Sequence, residues 1–99
     1  MTYVILTSKP GLFRTEPTPG FRPVEAWEYR FLGALKAQFV IAELADEAAR
    51  LRIVDIAGPP VVNTLPPKFL PRFETVEAAR AELQQLTRYA SAQAELVPA

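Results

Sequence analysis

The sequence predicts an α+β fold, a small antiparallel sheet packed on one face by a C-terminal helix, and three observations carry that prediction. Trp27, Tyr29 and Phe31 alternate with Glu28 and Arg30, the period-two signature of a half-buried strand. Two more apolar runs of strand length follow within the next 26 residues, up to Ala57. Val76, Ala79, Leu83, Leu86 and Ala90 then recur at spacings of three and four, the stripe of an amphipathic helix.

Taken in chain order, residues 2–7 (TYVILT) are β-branched and aromatic and read as a first strand. Residues 8–23 hold four prolines and two glycines, which excludes a helix and a long central strand, so this segment reads as a long arm or loop. The strand of residues 25–32 is followed by a turn that Gly33 marks and whose centre is placed near Leu35. A second strand runs from Lys36 to Leu44, with Phe39 and Ile41 on one face and Val40, Ala42 and Leu44 on the other. A connection around Glu47 leads to a third strand, Arg50–Ala57, and a three-stranded antiparallel meander is the economical arrangement. Residues 58–72 carry five more prolines, leaving room only for a brief edge pairing at Val61 and Val62. Thr75 is placed to cap the helix, with Glu77 near its positive end. The tail 91–99 is expected to fray, and the 99 residues to form one domain.

Composition narrows the chemistry. Eleven cations, eight of them arginine, balance eleven acids, so there is no electrostatic case for nucleic acid or an anionic membrane. The chain has no cysteine and no histidine, which removes thiolate nucleophiles, cysteine-held metal and the commonest general base. No leader and no apolar run of about 18 residues is evident, so the expected location is the cytoplasm and no membrane is expected. No glycine-rich phosphate loop and no catalytic triad can be drawn from these residues, and no catalytic, cofactor or metal residues are assigned.

The predicted meander puts Trp27, Tyr29, Phe31, Phe39, Ile41, Leu51 and Ile53 on one face, under the helix. Its other face mixes Leu32, Val40, Leu44, Val54 and Ile56 with Arg30, Arg50, Arg52 and Glu28, which resembles an interface centre with a charged rim. Either the N-terminal arm covers this face, or a second copy or another protein does, or it bounds a small-molecule cleft. Phe13-Arg14 and Phe21-Arg22 in the arm pair aromatic with arginine, as interface hot spots often do. The candidate partner-binding residues are therefore Phe13, Arg14, Phe21, Arg22, Arg30, Val40, Arg52 and Val54.

Asp55 falls in phase with Leu51 and Ile53, hence toward the core, and is a candidate buried acid. Glu43 poses the same question in phase with Phe39 and Ile41. The first functional reading is a non-catalytic accessory or interaction protein, partnered by another protein or by itself as a homo-oligomer. The second is a small ligand-binding domain or cofactor-independent enzyme using carboxylate, arginine or tyrosine groups. The third is a nucleic-acid-binding module, which would need the aromatic series as a stacking platform beside a positive groove.

Overall fold

A computed structural model describes residues 1–16, 18–87 and 94–99. Along the described residues the elements are β1 (Tyr3–Ser8), β2 (Phe13–Glu16), β3 (Phe21–Phe31), β4 (Ala34–Leu44), β5 (Leu51–Asp55), β6 (Val61–Leu65), a 3₁₀ turn (Pro67–Phe69), α1 (Val76–Thr87) and β7 (Ala94–Pro98). The strands form two antiparallel sheets, one of four strands in the order β1-β4-β3-β7 and one of three in the order β2-β5-β6. The α+β class expected from the sequence is the one observed.

The β3–β4 hairpin is the spine of the larger sheet. It sets Trp27 opposite Phe39 and Tyr29 opposite Ala37. Its turn is the pair Leu32-Gly33, with φ of 51° and 79°, the left-handed backbone that a type I′ turn needs and that matches strand twist. Arg30 Nη1 donates to the Gly33 carbonyl at 3.1 Å and steadies the reversal. The turn thus contains the expected Gly33, but its centre sits two to three residues before Leu35, because Gly33 is the residue that tolerates positive φ.

β3 also starts earlier than expected, at Phe21, and runs through Pro23. It can do so because β7 flanks β3 only from Trp27 to Phe31. Between Phe21 and Glu25 the strand has β4 on one side alone. Since the N–H of Leu44 opposite Phe21 turns to Thr2, alternation points the Pro23 nitrogen away from β4, so its missing N–H costs no ladder bond. A register shift between Pro23 and Glu25 leaves Val24 as a bulge beside it.

The third strand of the expected meander belongs to the second sheet. The place next to β4 is taken by β1, which pairs with it over six consecutive residues. After Leu44 the chain is drawn away, as the N–H groups of Ala45 and Asp46 both donate to the Gly20 carbonyl, at 2.8 and 3.3 Å. β5 then pairs with β2 and β6. The two sheets meet at a corner: Lys9 and Phe13 exchange backbone hydrogen bonds at 3.0 and 3.1 Å, and the Thr15 N–H donates to Ser8 Oγ at 2.9 Å.

Each face of the larger sheet carries its own core. On one face Ile41, Ala79 and Leu83 are fully buried, with Tyr3, Ile5, Trp27, Phe39, Phe73, Val76 and Leu96 packed around them. Of the aromatic face under the helix that the alternation predicted, Trp27, Phe39 and Ile41 belong to this core, whereas Leu51 and Ile53 lie on a strand of the second sheet. On the other face Val4, Leu6, Phe21, Ala42, Leu44, Ala49 and Leu51 form a second cluster, against which Val40 and Leu70 pack. Leu51 therefore sits in the second core and not with Phe39. The face left open between arm and partner is filled in this half by β1, Phe21 and the segment that leads into β5.

Thr75 caps α1 as expected, its Oγ1 accepting the Ala78 N–H at 3.0 Å. The residues from Ala94 to Pro98 are no frayed tail. They form β7, whose Leu96 closes the helix-side core, so tertiary packing outweighs the weak local signal. Ala90 and the first part of the tail fall outside the described residues.

Candidate interaction surface

Strand alternation in the smaller sheet gathers Arg14, Glu16, Arg52, Val54, Val62 and Thr64 on one face. The cross-strand pairs are Arg14–Val54, Glu16–Arg52, Arg52–Thr64 and Val54–Val62. Glu16 is the hub: its carboxylate accepts a hydrogen bond from Arg14 Nε at 3.1 Å and forms an ion pair with Arg52 Nε at 3.3 Å. The side chains of Arg14 and Arg52 are 57% and 53% exposed, so the two guanidiniums keep donors facing water. Two cations and one acid leave this face with net positive charge around an apolar pair, Val54 and Val62.

Three of the eight candidate partner-binding residues, Arg14, Arg52 and Val54, are thus brought together. Val54 is nonetheless only 8% exposed and is part of the fold. It is the apolar floor of that face and cannot be a free contact. Phe21 is likewise buried, at 6%, within the second core, because β3 starts there. Phe13 is half-buried on the opposite face of the small sheet and lines a crevice of about 170 Å³ with Ile5, Leu6, Leu51, Ile53 and Leu70. Arg22 is exposed and lies 3.5 Å from Glu43, which answers the question that Glu43 raised. Arg30 is bound to Glu28 at 2.9 Å, and Val40 is half-buried against the second core. The single mixed face expected from a meander is therefore split between two sheets.

Asp55 is exposed, not buried. Its Oδ1 accepts the Ala57 N–H at 3.0 Å and helps end β5. The physical reason is the change of sheet: in β5 the residues in phase with Asp55 do not face the aromatic core.

Two features went beyond the sequence reading, which had only the brief edge pairing at Val61 and Val62. The first is β6, of which all five residues are exposed: Val61 by 51%, Val62 by 48% and Leu65 by 37%. It is an edge strand without a charge or a proline, where natural edges are usually guarded by one or the other. The signal was present as the valine pair, but its extent to Leu65 was hidden by the proline pairs on either side. The second is an open cleft of about 320 Å³ lined by Glu47, Ala48, Arg50, Pro66, Pro67, Lys68 and Arg72. Arg72 Nη1 donates to Glu47 there, which lowers the Glu47 pKa below its ordinary value and raises that of Arg72. The residues come from three separate segments, so no spacing in the sequence announces the cleft.

A further cleft of about 340 Å³ lies where Tyr29, Ala37 and Phe39 meet Lys9, Lys36, Leu86 and Thr87. Among the described residues no group of three or more acids is arranged to hold a metal ion, and no helix is long and apolar enough to cross a membrane. Comparison of the chain with family models, with curated proteins and with solved structures finds no match.

Proposed function

We propose that this protein is a non-catalytic interaction module that works from its smaller sheet. The observation that carries the reading is the joining of two unlike surfaces on three strands: the exposed, uncharged edge of β6 and the Arg14–Glu16–Arg52 face beside it. Apolar strand edges provide main-chain hydrogen bonds to a partner, and flanking arginines select carboxylate-bearing ones. The exposed surface of the Pro-rich segment, Leu12 together with Arg14 on β2, is continuous with the same sheet and belongs to the proposed contact. Such a module acts in the cytoplasm as an accessory to another protein or to itself.

The test is recovery of the tagged chain from its native host, with the mass of the complex and the identity of any stoichiometric companion determined together. The reading expects a retained protein partner or a self-assembly. It also expects that replacing both Arg14 and Arg52 by alanine weakens a heterologous complex at least tenfold while the melting temperature stays within a few degrees. A chain recovered alone and monomeric would sink it.

One observation favours a second reading. The cleft at Tyr29 and Phe39 combines two aromatic residues with two lysines, a composition suited to a small planar anion. Chemical-shift changes confined to residues 29, 37 and 39 on adding a nucleoside monophosphate would support ligand binding there, and their absence would remove it.

A further inference from the structure

We infer that β6 is a self-docking edge, and that two copies of the chain join through it into one continuous sheet. The inference deepens the interaction reading above and names the partner as a second copy of this chain. The strand Val61-Val62-Asn63-Thr64-Leu65 lies at the open edge of the β2-β5-β6 sheet. Pro59-Pro60 before it and Pro66-Pro67 after it have lost their amide donors, so a partner strand can pair over these five residues and no further.

That bounded length fixes the geometry. A twofold axis perpendicular to the sheet pairs identical edges antiparallel and keeps each face on its own side, so paired residues must have the same parity. Full overlap of five residues then has one centre: Asn63 opposite Asn63 of the other copy, Val62 opposite Thr64, and Val61 opposite Leu65. Each pairing sets apolar against apolar or against a hydroxyl, except the central one, where two carboxamides meet as mutual donor and acceptor. The strand bears no charge and the whole chain is formally neutral, so no like charges meet across the strand-to-strand seam itself.

A different peptide would also find backbone partners here. A second copy is favoured because the strand is self-complementary in sequence about its midpoint. A charged peptide would gain nothing from β6 itself. An edge of five residues is a small interface, so the dimer belongs to the weak, reversible class with a dissociation constant on the order of 0.1 mM.

The test uses the central pair. Sedimentation velocity on the full chain, from about 10 μM to about 1 mM, should show wild type passing from monomer to dimer. Asn63→Lys and Asn63→Asp each place like charges opposite each other across the axis. Each alone should need at least tenfold higher concentration than wild type to dimerise, with an unchanged circular-dichroism spectrum. An equimolar mixture of the two should dimerise again, because the same position now brings opposite charges together. A dimer that neither substitution weakens, or a mixture that stays monomeric, overturns the inference while leaving the broader interaction reading standing. Should either variant fail to fold, amide exchange of residues 61–65 in wild type decides: it must slow with protein concentration, and concentration-independent exchange overturns the inference. Wild type that is monomeric throughout and retains no partner from its host sinks the inference and the broader reading together.

Discussion

At the scale of single residues, Gly20 shows most plainly how little freedom the chain has where its layers meet. Its φ is +105°, a backbone region closed to ordinary side chains, and a Cβ added there would lie 2.6 Å from the Cβ of Ala49. The close approach is what lets the Gly20 carbonyl accept from both Ala45 and Asp46 and turn the chain toward β5. Gly20→Ala should therefore destabilise the protein by about 2–4 kcal/mol, combining backbone strain with overpacking at the buried Ala49. Urea unfolding followed by circular dichroism checks this; a loss under about 0.5 kcal/mol would show that the approach is looser than the structure has it. Leu32 is a smaller conflict of the same kind. It sits at φ 51° and is 70% exposed, so nothing in its side chain compensates the turn strain.

At the scale of elements, α1 is held to the sheet by one polar clamp as well as by its apolar stripe. Glu25 on β3 receives Arg80 Nε at 2.8 Å and Arg80 Nη2 at 2.7 Å, and the Trp27 indole N–H donates to the same carboxylate. The bidentate Arg80 contact is the main reason that the Glu25 pKa falls from 4.5 to about 2, with the Trp27 bond adding to it and desolvation opposing it. Because the folded pKa is the lower one, the clamp contributes its stability in full above pH 4.5, and that stability is lost as pH falls toward 2. Glu25 and Arg80 keep 25% and 35% of their side chains in water, so the contribution is about 1–2 kcal/mol and not the full value of the shift. Glu25→Gln should lower stability by that amount at pH 7 and make little difference near pH 2, read from urea midpoints at both. Equal losses at both pH values would mean that the clamp acts by packing and not by charge.

Considered as a whole, the molecule is a slab of 40 × 37 × 19 Å, thin enough that few side chains are covered on every side. Its two cores lie on opposite faces of the same pair of strands: Val4, Leu6, Ala42 and Leu44 point one way, Ile5 and Ile41 the other. Neither core can be dismantled without disturbing β1 and β4, so unfolding should be a single cooperative event. Trp27 fluorescence, which reports the helix-side core, should superimpose on far-ultraviolet circular dichroism through a urea titration. A separate early transition by dichroism alone would show that β2, β5 and β6 come apart as a unit of their own. The same thinness leaves β6 without cover on either face, which is why an interaction surface falls there.

Local sequence by itself determined the elements whose signal is strong and short-ranged. The alternation through Trp27 and Phe39, the Thr75 cap, the Ala79–Leu83 stripe and the α+β class were all legible, because each depends on residues near in the chain. Tertiary structure alone decided which strands are neighbours. Three strands compete for the two edges of the β3–β4 hairpin, and β1 and β7 hold them through contacts remote in sequence, leaving β5 to build a second sheet. That choice buried Phe21 and Val54, exposed Asp55, and set Arg14 beside Arg52. The candidate site was legible as residue types and not as an arrangement, since period two tells which residues share a face of a strand and never which strand lies next to it.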